Sequence, residues 1–338
     1  MIIRSYTQKL SLKKLVNYFK LVISFYLSYI VKKPIHWGMP HTVSLEPTNI
    51  CNLACKECPT GTKTLNRPKG NMDIALYKSI VNQLYTRLTD LILYFQGEPF
   101  LNPDLFEMLR YANSKNIYTY CSTNGHFFDD ENVKKTIESK LDELIISLDG
   151  TTQEVYEAYR QNGSLKKVLE GTKNIVKWKI KQNSDKPIVK FQFLVVKPNE
   201  HQIGDAKLMA KNIGVNKIVF KTAQIYNYEN GNPLIPANGK FSRYKKQKNG
   251  KYTIKSRLKN RCWRMWANPV VTVDGLLIPC CFDKNAKYAF GDLNKQSFKE
   301  IWESEKYKKF RQQVLSNRKS IDICRNCTEG LQVDRANA

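Results

Sequence analysis

The chain has 338 residues, and 42% of them are hydrophobic, which is enough for a sizeable core and excludes an intrinsically disordered protein. The length suggests two domains, or one large α/β barrel with an appendage. The net charge of +25 indicates either an anionic partner or the composition bias of an AT-rich genome. Two segments, 1–45 and 240–264, are rich in lysine and arginine but contain no acidic residue. A genome-wide composition bias explains such local concentration less well than an anionic partner does.

The N-terminal segment 15–31 is mostly apolar, is flanked by lysines and is followed by Pro34. It lacks the roughly 18 uninterrupted apolar residues of a transmembrane span, and no small-residue cleavage site of a signal peptide follows it. We therefore predict an amphipathic helix. Two interpretations stay open: residues 13–33 lie flat on an anionic membrane surface, or the helix packs on the body of the protein.

From residue 42 onward, strand-like and helix-like runs alternate. The predicted strands are 42–46, 91–95, 117–122, 144–148, 189–196 and 217–221, and the predicted helices are 73–88, 103–114, 130–140, 165–181 and 201–212. Six βα units predict an α/β fold with a parallel sheet and outer helices. No GxGxxG follows the first strand, and the polar motifs fall at strand ends, so we predict a partial (β/α)6 TIM-like barrel.

The pattern changes after residue 225. Residues 227–250 are rich in Asn, Gly, Pro and Lys and predict a loop or linker. A hairpin over 270–278 with an Asp274-Gly275 turn and helices over 297–305 and 307–315 predict a small α+β module. The predicted organisation is an N-terminal helix in 1–40, the barrel in 41–225, a basic linker in 226–261 and a cysteine-rich domain in 262–338.

The nine cysteines are an odd number and favour metal or redox chemistry in a reduced compartment over a disulfide framework. Cys51, Cys55 and Cys58 follow the first strand with the spacing C-x3-C-x2-C. Three thiolates on one loop can hold three corners of an iron–sulfur cube and leave the fourth iron open. A structural zinc site would need a fourth ligand nearby. With this loop the sequence resembles the radical SAM superfamily.

Further motifs at the strand ends support this resemblance. Gln96-Gly97-Glu98-Pro99 follows the second strand and resembles the family's Gly-Gly-Glu-Pro motif, with Gln96 in place of the first glycine. The resemblance implies that Gly97, Glu98 and Pro99 form the loop that binds the methionyl amino group of S-adenosylmethionine (SAM).

The resemblance implies three more cofactor-binding residues, which are Asn124 after the third strand, Ser147 at the end of the fourth and Arg160 in the helix that follows. Ser147 and Arg160 are expected to contact the carboxylate of SAM. The sequence departs from the family pattern at Glu57, where many relatives carry an aromatic residue against the adenine. The adenine contacts are therefore expected from the backbone near 219–221.

The C-terminal cysteines resemble the first part of a SPASM/twitch extension. Their spacing is C-x12-G-x4-C followed by a late C-x2-C. The resemblance implies one auxiliary [4Fe–4S] cluster, and its ligands would be Cys262, Cys280, Cys324 and Cys327. Spacing alone also fits a four-cysteine zinc site. Cys281 and Cys121 are not expected to be ligands, and Cys121 is expected to be buried as a small apolar residue.

The resemblance implies that a reduced [4Fe–4S] cluster cleaves SAM and that the resulting 5′-deoxyadenosyl radical takes a hydrogen atom from the substrate. We expect a cytoplasmic oxidoreductase, which could be peripheral at the inner membrane face, acting on a small polar substrate. That substrate would be a sugar, aminocyclitol or nucleotide-linked compound, and the basic block 240–264 suggests an anionic one. A flavodoxin or ferredoxin would donate electrons, and nucleic acid is not expected as a partner.

Two alternatives remain open at the level of the sequence. The first is a peptide- or protein-modifying radical SAM maturase, although residues 1–40 are too short for a peptide-recognition domain. The second is a non-catalytic, zinc-containing protein that binds membranes or nucleic acid. The motifs do not indicate a catalytic base or a hydrogen donor.

Overall fold

The computed structural model describes residues 6–328. Six strands alternate with helices in the first two thirds of the chain. They are β1 (Thr42–Leu45), α2 (Ile74–Leu84), β2 (Asp90–Ile92), α3 (Leu105–Ser114), β3 (Tyr118–Thr123), α4 (Asp130–Glu138), β4 (Glu143–Ser147), α5 (Gln153–Tyr159), α6 (Leu165–Lys181), β5 (Ile188–Val195), α7 (Ile203–Ile213) and β6 (Lys217–Thr222). Strands β1 to β6 pair in chain order, each parallel to the next. The predicted α/β fold with a parallel sheet is confirmed. A short helix, α5, follows the fourth strand as expected, but it ends at Tyr159, so Arg160 is its C-terminal cap and not part of the helix.

Successive residues along each strand face two different environments. Leu144 and Ile146 of β4 lie in the core between the sheet and the outer helices, and Cys121 is buried in the same core, as expected. The intervening positions carry polar groups on the other face of the sheet. There, Tyr118 donates a hydrogen bond of 3.1 Å to Glu143, which also pairs with Lys190. This alternation gives a barrel-like sheet with a partly polar interior.

The C-terminal third adds short elements. They are β7 (Tyr244–Lys246), β8 (Tyr252–Ile254), α8 (Arg264–Ala267), β9 (Val270–Val271), β10 (Leu276–Ile278), β11 (Gly291–Asp292), α9 (Phe298–Trp302), α10 (Glu305–Asn317) and α11 (Asp322–Arg325). The predicted hairpin is present as β9 and β10. Strand β9 pairs in parallel with β1, so the barrel sheet continues into the C-terminal module as one sheet of nine strands.

The segment predicted as a linker contains a small sheet of its own. Strands β7 and β8 pair antiparallel within it. Tyr244 at the start of β7 donates a hydrogen bond of 2.8 Å to the side chain of Asn326, and Asn326 in turn donates to the carbonyl of Ile225 just after β6. The loop expectation for 227–250 is therefore wrong in part, because tertiary hydrogen bonds order residues whose local sequence favours turns.

Helix α1 (Leu12–Val31) packs one of its faces on the protein. Asn17 exchanges two hydrogen bonds with the backbone of Met39, at 2.8 and 2.9 Å, and Phe25 packs edge-on against Trp266. Among the described residues, α1 is the one helix that is long and apolar enough to cross a membrane. Of its most apolar stretch of 18 residues, 33% is buried inside the protein.

Candidate cofactor and cluster sites

The first cysteine loop leaves β1 and crosses the carboxyl end of the sheet. Its backbone is held in place by the segment after α5: the Ala54 amide donates to the carbonyl of Gln161 at 3.0 Å, and the Lys56 amide donates to that of Tyr159 at 3.2 Å. The loop therefore takes its position from the barrel, at the edge where enzymes of this fold carry their active sites.

Each thiol of this loop lies near the end of a different βα unit. The contacts join Cys51 Sγ to Asn124 Nδ2 at 4.0 Å, Cys58 Sγ to Gln96 Oε1 at 3.8 Å, and Cys55 Sγ to Arg160 Nη1 at 4.0 Å. The structure thus brings together residues that the sequence analysis assigned to separate motifs.

The chemistry of these thiols fits a metal cluster. Burial raises the pKa of Cys51 to about 11 and also raises that of Cys55, so a bound cation is needed to keep them as thiolates. Within residues 6–328, no group of three or more His, Cys, Asp and Glu residues is arranged to hold a single ion. Thiolates of a four-iron cluster each bind a different iron and so surround a space instead of converging on one point.

The loop of residues 96–99 packs directly on the start of the cysteine loop. Gly97 has a φ of +73°, and a Cβ atom there would lie 2.5 Å from the carbonyl oxygen of Thr48. The next amide, that of Glu98, donates to the carbonyl of Ile50 at 2.8 Å. Only glycine fits this position without displacing the backbone that precedes Cys51.

The Glu98 carboxylate is buried and joins the ends of β2 and β3. It accepts hydrogen bonds from the Thr123 hydroxyl and the Asn124 amide, both at 2.7 Å, and from the Phe100 amide at 3.2 Å. Burial raises the pKa of Glu98 to about 7. Pro99 begins the 3-10 turn Pro99–Leu101 that follows. The predicted contact of Glu98 with an ammonium group stays a prediction.

Ser147 and Arg160 lie on the next part of the same edge. Ser147 is buried at the end of β4, beside Gln192 of β5. Arg160 Nε donates to Asp149 at 2.5 Å, and Asp149 also accepts from the Leu194 amide at 2.6 Å. Asp149 thereby orients Arg160 toward Cys55. The predicted role of Ser147 and Arg160 in binding a carboxylate stays a prediction.

Glu57 connects the cysteine loop to the chain beyond β6. Its carboxylate accepts a hydrogen bond of 3.0 Å from the Tyr226 amide, beyond the end of β6. The departure from the family pattern thus places a polar tie between the cysteine loop and the segment that leads into the C-terminal third.

A buried ion pair that the sequence analysis missed links the two cysteine-containing regions. Arg67 binds both oxygens of Glu46 at 2.7 Å, and Glu46 also accepts from the Val273 amide of the hairpin at 3.0 Å. Arg67 Nε donates to the carbonyl of Lys284. The pair spans 21 positions in the sequence, with no periodicity that could have revealed it.

The four predicted C-terminal ligands line a single cavity. Its lining includes Cys262, Cys280, Cys324 and Cys327 together with apolar walls from Phe282, Phe310 and Val314. Cys281 does not line it, and its sulfur lies 3.9 Å from Arg264 Nη1. Four buried thiols around one closed space fit an auxiliary cluster with only protein ligands.

Two arginines that the sequence analysis did not single out lie at these sites. Arg318 is buried and donates to Cys327 Sγ at 3.3 Å and to the carbonyl of Arg261 at 2.8 Å. Hydrogen bonds to cysteine sulfurs are one of the means by which a protein sets the potential of a cluster. Because arginine is common in this basic chain, the sequence alone does not distinguish Arg318 from the other arginines.

Arg243 lies between the barrel mouth and the second cysteine set. Its Nε and Nη2 donate to Thr222 at the end of β6, at 3.1 and 3.0 Å. Its Nη1 is buried and has no hydrogen-bond partner among the described residues. Burial lowers the pKa of Arg243, and the thiols of Cys327 and Cys281 are among the groups that oppose this shift.

Comparison with known proteins agrees with this arrangement. The sequence pattern of the radical SAM superfamily matches residues 45–205, and that of the SPASM iron–sulfur cluster-binding domain matches residues 262–328. A tungsten-containing aldehyde ferredoxin oxidoreductase cofactor-modifying protein of Pyrococcus furiosus is 26% identical over 84% of this chain and 86% of its own. A SAM-dependent 2-deoxy-scyllo-inosamine dehydrogenase of Niallia circulans is 23% identical over 84% and 91%.

Among solved structures, Streptococcus suis SuiB bound to its precursor peptide SuiA shares the fold. The TM-score is 0.62 at 13% identity, and the match covers 87% of this chain and 72% of SuiB. The two matched sequence patterns together span most of the chain. This chain therefore belongs to the radical SAM superfamily and carries a C-terminal SPASM domain.

Proposed function

We propose that this enzyme oxidises a small anionic substrate, which is a phosphorylated sugar, a phosphorylated aminocyclitol or a nucleotide-linked compound. The chain is a radical SAM enzyme, and its cofactors are SAM, a SAM-binding [4Fe–4S] cluster and auxiliary iron–sulfur. In this proposal Cys51, Cys55 and Cys58 hold the first cluster. A single auxiliary cluster is held by Cys262, Cys280, Cys324 and Cys327.

The observation that carries the anionic substrate is the unpaired Nη1 of Arg243. A buried donor without a partner costs about 1–3 kcal/mol, and more when the group is charged. An anionic group that accepts from this nitrogen removes the cost and forms a charge-assisted hydrogen bond. Arg243 lies between the two cysteine sets, where a substrate that exchanges electrons with both would sit.

The chain's own residues then have distinct tasks. Arg160, oriented by Asp149, and Ser147 bind the carboxylate of SAM, and Asn124 positions the ligand beside Cys51. When bound, the cofactors supply hydrogen-atom removal and accept the second electron of the oxidation. The apolar walls of the cavity lined by the second cysteine set keep water from the auxiliary site. A flavodoxin or ferredoxin, which is an acidic partner for this basic chain, supplies electrons.

The relatives named above support a small substrate, but they do not determine which substrate this chain uses. The Niallia circulans dehydrogenase matches over 91% of its own length, and it is named for an aminocyclitol substrate. SuiB, whose structure contains the bound precursor peptide SuiA, resembles this chain in fold. Peptide modification is therefore kept as an outcome of the test. The non-catalytic alternative is dropped because the chain is an enzyme.

The test uses the holoenzyme, reconstituted without oxygen and supplied with SAM and dithionite. Phosphorylated aminocyclitols, sugar phosphates and nucleotide sugars are compared with cysteine- and serine-containing peptides. We expect 5′-deoxyadenosine and a product lacking two hydrogen atoms only with the small anionic compounds. Oxidation of peptides alone would contradict the proposal.

A matched pair of variants tests the role of Arg243. Arg243→Gln should raise KM for the anionic substrate by about tenfold or more, with a smaller effect on kcat, because one charge-assisted hydrogen bond is lost. Arg243→Lys should recover part of this loss. The control is Lys245→Gln, two residues away on the exposed part of β7. An unchanged KM in Arg243→Gln would contradict the assignment.

A further inference from the structure

The outward face of helix α1 is apolar, which is unusual for the solvent side of a surface helix. Its large exposed side chains recur with spacings of three and four residues and form one stripe. This apolar stripe consists of Leu12, Leu15, Val16, Phe19, Ile23, Tyr26 and Ile30. Leu12 is 77%, Phe19 59% and Ile30 72% exposed. At 1.5 Å per residue, the stripe is about 27 Å long.

The rest of the described surface offers no second patch of this kind. Ten of the sixteen large hydrophobic residues that are exposed lie within α1, and Trp37 follows shortly after it. The others, such as Ile180 on α6 and Leu208 on α7, lie far apart in the sequence. Single exposed apolar residues are normal, whereas a continuous stripe marks an interaction surface.

The inner face of α1 is fixed, so the helix cannot rotate to bury the stripe. Besides the Asn17 bonds to Met39, the Ser28 hydroxyl donates to the carbonyl of Ile35 at 2.5 Å. Phe25 packs against Trp263 and Trp266, with ring centroids 5.3 and 5.5 Å away. The protein therefore holds the helix along its surface, and a span across a bilayer would break these contacts.

The charges beside the stripe identify its partner. Residues 1–45 contain no acidic residue, and a groove along α1 is lined by Lys13, Lys20, Arg87 and Lys299, with Glu303 as its one acidic residue. Arg261, from the chain just before α8, lies 5.3 Å from the ring of Tyr29 on the helix. A lipid bilayer with anionic headgroups offers apolar depth under the stripe and negative charge at its borders. A second copy of this chain would bring like charges together.

We propose that α1 docks this enzyme flat on an anionic bilayer through the apolar stripe. The tyrosines and Trp37 suit the headgroup level, where amphipathic rings accumulate. The contacts of α1 with Met39 and Asn116 lie just before β1 and β3, at the amino ends of the strands. Docking therefore leaves the carboxyl ends of the strands, with the first cysteine loop, facing the aqueous phase. The inference does not rest on the proposed substrate.

The test is sedimentation of the full chain with vesicles. Vesicles of phosphatidylcholine alone are compared with vesicles of equal parts phosphatidylcholine and phosphatidylglycerol. The test variant is Phe19→Ser/Ile23→Ser, and the matched control is Ile180→Ser/Leu208→Ser, which removes two even more exposed apolar side chains from other helices. Circular dichroism verifies that both variants are folded.

We expect wild type and control to bind the anionic vesicles and to bind the neutral vesicles more weakly. The stripe variant should bind the anionic vesicles at least about tenfold more weakly, because two large apolar groups no longer enter the bilayer. No binding of the wild type, or equal binding by the stripe variant, would overturn the proposal. A dimer in light scattering that only the stripe variant dissociates would instead identify a second copy as the partner.

Discussion

The two cysteine sets differ in how closely the protein surrounds them. In the first set, Cys51 and Cys58 are half-buried on a loop of eight residues at the barrel mouth. In the second set, all four predicted ligands are between 4% and 8% exposed, and they line a closed cavity. One site can admit a ligand from outside, and the other offers only protein contacts.

This difference shows how one fold separates two tasks. The first set is local in sequence, so its spacing is a property of the loop and its position comes from the bonds to Gln161 and Tyr159. The second set spans residues 262–327 and comes together only when the C-terminal module folds. Loss of the second metal site should therefore affect stability, while loss of the first should affect mainly ligand binding.

The largest expected effect separates the two sets directly. Cys51→Ala and Cys280→Ala should each lose about four of about eight irons per chain. Cys280→Ala should also lower the thermal transition temperature clearly, because a buried site is left without its metal. Iron analysis and thermal unfolding without oxygen measure both effects. Cys281→Ala is the control and should keep all the iron, since Cys281 does not line the cavity. Loss of iron in that variant would contradict the ligand assignment.

The next largest effect concerns the ion pair that joins the two regions. Glu46→Gln should destabilise the protein by about 3–5 kcal/mol, because it removes the nearer and buried counter-charge of Arg67 and leaves only Asp274 at 3.9 Å. Denaturant unfolding of the iron-free protein measures the change. The matched control is Lys78→Gln, which breaks the exposed pair with Glu107 and should have no measurable effect. Equal effects of the two substitutions would show that the regions are not coupled through Glu46.

A smaller effect should distinguish the environments of the two clusters. Arg318→Gln removes a cationic donor 3.3 Å from Cys327 Sγ, so it should lower the reduction potential of the auxiliary cluster by roughly 60 mV or more. The cationic donor favours the more negative, reduced state. Potentiometric titration followed by electron paramagnetic resonance measures the shift. Arg325→Gln, an exposed arginine of the same module, should leave the potential unchanged. An unchanged potential in Arg318→Gln would contradict the assignment.

The smallest effect is a dependence on pH at the first site. Since burial raises the pKa of Glu98 from 4.5 to about 7, the folded iron-free protein holds a proton there that the unfolded chain releases. The free energy of unfolding should therefore decrease between about pH 4.5 and 7. Glu98→Gln should remove this part of the slope. Denaturant unfolding at several pH values in that range measures this slope. Identical slopes in wild type and Glu98→Gln would contradict the claim that Glu98 is buried and protonated.

The sequence predicted the features that depend on local pattern. The βα alternation indicated the six parallel strands, and the glycine and cysteine spacings indicated which thiols line the second cavity. Gly97 could be assigned because its short motif resembles that of the family, whereas its close approach to Thr48 is visible only in the structure. The sheet of β7 and β8 was missed because Tyr244 is ordered by Asn326, 82 positions away.

The remaining site features depend on contacts that no spacing reveals. Whether Glu98 accepts from Thr123 and Asn124, or whether Arg243 keeps one nitrogen unpaired, follows only from the packed structure. The apolar stripe on α1 was visible as an apolar run, but only burial shows which face is already covered by the protein. In a chain this rich in arginine, composition cannot indicate which arginines are buried.

The most direct test of the account is electron paramagnetic resonance of the reduced holoenzyme with and without SAM. Wild type, Cys51→Ala/Cys55→Ala/Cys58→Ala and Cys280→Ala are compared. The account predicts two cluster signals in the wild type. SAM should shift the signal that the triple variant lacks, and it should leave unchanged the signal that Cys280→Ala lacks. A single signal, or a shift of the auxiliary signal on addition of SAM, would contradict the division into one open and one closed site.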